Sequence, residues 1–68
     1  MNINARQAFS ILQFCEDHDL SRATFYSLLR DGDAPETMRV RGRVLISREA
    51  AEQWRRRMEA RTAAKQEA

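Results

Sequence analysis

Three arginines crowd one glycine in the stretch Arg39-Val40-Arg41-Gly42-Arg43, with aliphatic residues on both sides. Three guanidinium groups at one turn repel one another unless an anion lies across them, and the planar fork of arginine suits bidentate contact with phosphate oxygens and guanine edges. A second polar set lies upstream, where Arg22, Tyr26, Ser27 and Arg30 fall on one side of a helical period and Ser21, Ala23 and Thr24 stand at its start. Guanidinium and hydroxyl groups supply the donors and acceptors that read base edges and phosphates, and Ala23 offers a methyl to a base methyl. Arg41 and Arg43, with Arg39 beside them, are expected on phosphates or in a narrow minor groove. The competing reading of the upstream set is a solvated helix face, and for Thr24 a hydroxyl that only bonds backbone.

Other chemistries find less to work with. Cys15 and His18 stand three apart, like half of a zinc site, but the sequence has no second cysteine or histidine to complete tetrahedral ligation. We therefore expect packing residues, no metal site and no cofactor. Hydrolysis needs a nucleophile, a base and an orienting group that converge in a pocket. Here the single cysteine and the single histidine share the apolar face of one helix, so the chain is not expected to be an enzyme.

The 68 residues allow one domain with a small core, near the lower limit for folding without metal or disulfide. No long apolar run marks a secretion signal or membrane span, so a soluble, cytoplasmic protein is expected. Net charge is only +2, with a pI near 9.3. The distribution says more. Residues 16–36 hold six acids (Glu16, Asp17, Asp19, Asp31, Asp33, Glu36) against Arg22 and Arg30, a balance of −4. Residues 38–57 hold seven arginines (Arg39, Arg41, Arg43, Arg48, Arg55, Arg56, Arg57) against Glu49 and Glu52, a balance of +5. Such polarity orients a protein in the field of a polyanion, or of an acidic partner protein.

Four elements must position these groups. Ile11, Phe14, Cys15 and His18 recur at helical spacing, Ser10 and Gln13 form a capping-box pattern, and Phe9 stands where a hydrophobic staple would meet Phe14. After a turn at Asp19 and Leu20, Ser21 caps a short helix that Gly32 closes, with Phe25, Leu28 and Leu29 on its apolar side. Around Gly42 the sequence is nearly palindromic: Arg41 mirrors Arg43, Val40 mirrors Val44 and Met38 mirrors Ile46, as in a hairpin with one apolar face, although Leu45 breaks the alternation. Ser47 caps a last helix whose stripe is Ala50, Ala51, Trp54 and Met58, with Glu52 and Arg56 placed to pair. Arg55, Arg56 and Arg57 are expected to be solvated, near Glu52 and Glu59. The expected organisation is a lead-in over 1–8, a domain over 9–60 and a frayed tail over 61–68.

Two short helices, a basic hairpin and a third helix follow the order of a winged helix-turn-helix, mainly α with a small β-hairpin. The stretch LSRATFYSLLRDGDAPETMRVRGRVLISREAAEQW resembles the small AlpA-type and excisionase-like regulators of phages and mobile elements, relatives of the MerR-type winged helix. Leu20, Ser21, Arg22, Thr24, Phe25 and Tyr26 match the opening of that family's recognition helix, Gly32 and Pro35 its turn into the wing, and Trp54 its core tryptophan. Asp19 stands where the family often has glycine, and His18 where it usually has an aliphatic residue. The likeness spans roughly Phe9 to Arg57. It implies a sequence-specific double-stranded DNA-binding protein, an excisionase or a transcriptional regulator, with the helix from Ser21 to Asp31 in the major groove and the wing around Gly42 on the flanking backbone. The implied partners are duplex DNA, further copies of the chain on adjacent repeats, and an integrase, with no membrane. Two alternatives stand beside it: an antirepressor or anti-activator whose basic hairpin docks on an acidic protein, and the DNA-recognition domain of a viral packaging subunit, which would normally continue into an assembly domain.

Overall fold

Ser10 opens the first helix because its side chain satisfies a first-turn donor that has no partner within the helix. Its hydroxyl accepts from the Gln13 backbone N–H at 3.1 Å, and the Gln13 side chain accepts in return from the Ser10 N–H at 3.0 Å. The computed structural model describes residues 6–67. Its elements run β1 (Ala8–Ser10), α1 (Ile11–Asp17), α2 (Arg22–Asp31), β2 (Met38–Val40), β3 (Arg43–Ser47) and α3 (Arg48–Glu67). They form a small mixed fold, three helices with a three-stranded antiparallel sheet in the order β1-β3-β2.

Strand β1 is a correction to the sequence reading, which expected only a two-stranded hairpin. Ala8, Phe9 and Ser10 pair with Ser47, Ile46 and Leu45, and the Arg48 N–H extends the ladder to the Gln7 carbonyl at 2.9 Å. Three residues are too few to show an alternating period, and Phe9 was accounted for as a staple. In the fold it is a strand residue that faces the core, buried in the same cluster as Phe14 and edge-on to His18 at 6.4 Å. Most of the lead-in expected over 1–8 lies outside the described residues.

Helices α1 and α2 end by the same device. At the end of α1 the Leu20 N–H bonds the Cys15 carbonyl at 2.9 Å and the Asp19 N–H bonds the Glu16 carbonyl at 3.4 Å. At the end of α2 the Asp33 N–H bonds the Leu28 carbonyl at 2.8 Å and the Gly32 N–H bonds the Leu29 carbonyl at 3.2 Å. Both are Schellman closures, which place one residue in the left-handed region. Gly32 takes that role at φ 77° without a penalty, whereas Asp19 takes it at φ 57° with a side chain attached.

The core gathers Phe9, Phe14, Cys15, Phe25, Ile46, Ala51 and Trp54, with at least one residue from every element except β2. Phe14 sits at its centre, edge to face with Phe25 at 5.7 Å and with Trp54 at 5.3 Å. Each such pair contributes roughly 0.5–1.5 kcal/mol beyond the area it buries. Ser47 ends β3 and also caps α3, accepting from the Ala50 N–H at 3.0 Å, so strand and helix join without a loop. The helix then runs to Glu67, past the point near Arg61 where its apolar stripe stops and fraying was expected. Strong helix formers fill the extension, and Arg61 anchors its start by pairing with Asp33 at 3.0 Å. Among the described residues, no helix is long and apolar enough to cross a membrane.

Candidate nucleic-acid interface

Helix α2 presents most of the upstream polar set. Ser21 is the N-cap, its hydroxyl accepting from the Thr24 N–H at 3.1 Å and pairing with the Thr24 hydroxyl at 2.9 Å. The Ser27 hydroxyl, half-buried, accepts from Arg30 at 3.0 Å, and Arg30 leans towards Asp31 at 3.8 Å. That pair is exposed and contributes little. Those contacts occupy the hydroxyls of Ser21, Thr24 and Ser27 locally. Arg22, Ala23 and Tyr26 are exposed, and the Tyr26 ring is propped edge-on against Phe25 at 5.9 Å.

Leu29 is a correction. The sequence reading put it on the apolar side with Phe25 and Leu28, but Phe25 is fully buried, Leu28 packs on the core, and Leu29 stands 47% exposed. At 3.6 residues per turn Leu29 lies roughly 40° from Phe25, on the side away from Leu28. The buried stripe of α2 is narrow, so that small rotation is enough to carry Leu29 out. It lines up instead with Arg22 and Tyr26, seven and three residues before it on one side of the helix.

The hairpin turns on Arg41 and Gly42, which both have positive φ, 49° and 83°. Val40 pairs with Arg43, Arg39 with Val44, and Met38 with Leu45. Such a two-residue loop with left-handed conformations at both positions is the type I′ connection, whose twist matches that of the strands. The palindrome centred on Gly42 is therefore one residue out of register on one strand. Because side chains alternate along a strand, that slip changes the faces. Arg39 and Val44 lie on the face that Phe9 and Ile46 turn to the core, while Val40 and Arg43 lie on the outer face with Met38 and Leu45. Arg41 stands at the tip between them. Among the described residues, no carboxylate lies within ion-pair distance of Arg22, Arg39, Arg41 or Arg43, and no hydrogen bond or ion pair joins α2 to the hairpin.

The arginines of α3 do more than expected. The Glu52–Arg56 pair does not form. Instead, Arg57 donates to the Ala34 carbonyl at 3.3 Å, Arg61 to the Asp33 carboxylate at 3.0 Å, and the Trp54 indole N–H to the Asp33 carbonyl at 2.8 Å. Three side chains of α3 thus clamp the segment between α2 and β2. The Arg61 hydrogen bond, reinforced by the charges of Arg61 and Arg57, holds the Asp33 carboxyl below its usual range. Only the one-turn spacings of Trp54, Arg57 and Arg61 hinted at this in the sequence, and their partners lie over twenty residues away.

His18 and Cys15 serve packing. The imidazole stacks on Phe14 at 4.1 Å, with Nδ1 at 2.8 Å from the Phe14 carbonyl and Nε2 at 3.0 Å from Arg55. A carbonyl only accepts and a guanidinium only donates, so Nδ1 carries the proton and Nε2 accepts. Cys15 is buried, its thiol facing the Ser21 carbonyl at 3.9 Å, and burial pushes its pKa up while Arg22 pulls it back. Comparison with family models, with curated proteins and with solved structures found no match.

Proposed function

We propose that the protein is a sequence-specific duplex-DNA-binding winged helix-turn-helix, acting as an excisionase or transcriptional regulator of a phage or mobile element and not as an enzyme. Helix α2 enters the major groove with Arg22, Ala23 and Tyr26 towards base edges, and the β2–β3 hairpin is the wing, with Arg41 on the backbone or in the minor groove. Further copies on adjacent repeats raise the affinity that one small module lacks.

The observation that carries this reading is the conformation of Arg41. An exposed arginine occupies a left-handed position, φ 49°, where a two-residue hairpin favours asparagine, aspartate or glycine. The fold gains nothing from that choice, since holding a non-glycine residue there costs about 1 kcal/mol. A guanidinium at the most protruding point of the hairpin suits an anion outside the protein. The charge division between residues 16–36 and 38–57 supports the same orientation on a polyanion.

Selection from a random duplex pool, followed by a salt titration on the selected site, tests it. With roughly four to six phosphate contacts, log affinity should fall by about 3.6 to 5.4 for a tenfold rise in salt. Failure to enrich any sequence, or an affinity indifferent to salt, refutes the reading. One observation favours a second reading: Met38 and Val40, 42% and 48% exposed, lie beside Arg43 on the outer sheet face, a mixed apolar and cationic surface that fits an acidic protein. A partner bound there would stay bound in excess duplex DNA.

A further inference from the structure

We propose that Leu29 is a specificity residue, reading the 5-methyl group of a thymine in the major groove. The inference rests on the DNA-binding reading and deepens it. Leu29 is 47% exposed on the last turn of a helix on which Phe25 is buried and Leu28 packs against the core, while Tyr26 is exposed beside it. It continues the row formed by Arg22 and Tyr26, and Arg30 follows it on the same exposed surface. An isobutyl group flanked by cations on a solvent-facing helix suits a surface that is anionic at its edges and apolar at a point. The major groove of DNA offers that combination only at thymine, whose methyl group projects between the phosphate rows.

The spacing adds a constraint. Seven residues separate Arg22 from Leu29, roughly 10 Å of helix rise, about three base-pair steps of a duplex. If Arg22 reads a guanine, the thymine lies about three pairs from it along the direction of the helix.

The experiment uses the whole chain and a duplex chosen from a random pool, resynthesised with deoxyuridine in place of each thymidine in turn. Uracil keeps every hydrogen-bonding group and lacks only the methyl. Removing one buried methyl group should weaken binding about fourfold at a single position. Leu29→Ala should bind the thymine duplex that much more weakly and make no distinction between thymine and uracil there. Circular dichroism checks that the variant is folded, and the uracil series with the unaltered protein needs no variant. If the protein binds the duplex equally well with uracil at every position, or if Leu29→Ala remains as sensitive to the methyl as the parent, the assignment to Leu29 is wrong while DNA binding stands. If no duplex is selected at all, the underlying reading fails as well.

Discussion

Replacing Arg41 by asparagine separates the demands of the turn from those of a ligand. Arg41 has φ 49° in front of Gly42 at φ 83°, and Asn-Gly is the pair that such a loop accommodates best. Asparagine tolerates the left-handed region better than arginine, so relief of part of a strain of about 1 kcal/mol should stabilise the variant by roughly 0.5 kcal/mol. For a domain of this size that raises Tm by about 2 to 4 °C. The substitution also removes one cation without touching the core, since the Arg41 side chain is exposed and has no carboxylate partner among the described residues. One lost phosphate contact lowers the salt slope by about 0.9, so a variant that equals the parent at about 1 M salt should bind roughly eightfold more weakly than the parent at about 0.1 M. Thermal melts and fluorescence anisotropy on one preparation measure both quantities. The expected outcome is a more stable protein that binds DNA less well, a combination that general damage to the fold does not produce. A rise in stability with unchanged affinity would refute Arg41 as a contact, and a fall in stability would refute the argument from its backbone.

Asp19→Gly should stabilise the domain by about 0.5 to 1 kcal/mol, because Asp19 holds the left-handed closing position of α1 at φ 57°, and a chemical denaturation midpoint that did not rise would contradict it. Trp54→Ala should destabilise by about 3 to 5 kcal/mol through the cavity left beside Phe14, an effect that thermal melts would show as loss of the folded state. Acid should weaken the clamp on the α2–β2 segment: the Asp33 pKa is lowered in the fold, so its contribution is present above the ordinary carboxylate range and is lost as pH falls through the lowered value. Asp33→Asn should therefore flatten the stability profile below about pH 4, and an unchanged profile would place the acid sensitivity elsewhere.

Local chemistry was legible in the residues themselves, and global placement was not. Ser10 with Gln13, Ser21, Gly32 and Ser47 cap their helices as expected, because a cap is decided within four residues of chain. The stripe of Ala50, Ala51, Trp54 and Met58 faces the core for a similar reason, with Ala51 and Trp54 buried and Ala50 and Met58 partly buried against it, since helical spacing alone puts those residues on one side. The hairpin register misled because two patterns competed. A mirror about Gly42 matched the residue types, but the twist of paired strands selects a two-residue loop and moves the centre between Arg41 and Gly42. Leu29 shows the other limit: hydrophobicity predicts what a residue prefers to contact, not whether the fold has space for it inside. The clamp by Trp54, Arg57 and Arg61 joins segments far apart in sequence and has no signature along it.

The union of β3 and α3 at Ser47 makes a mechanical coupling. With no flexible joint between them, a 20-residue rod about 30 Å long is welded to the strand that carries half of the hairpin. Any tilt of the hairpin swings the far end of that rod through a much larger arc. A dye attached near Lys65 would act as a pointer, converting small reorientations at the tip into readable displacements.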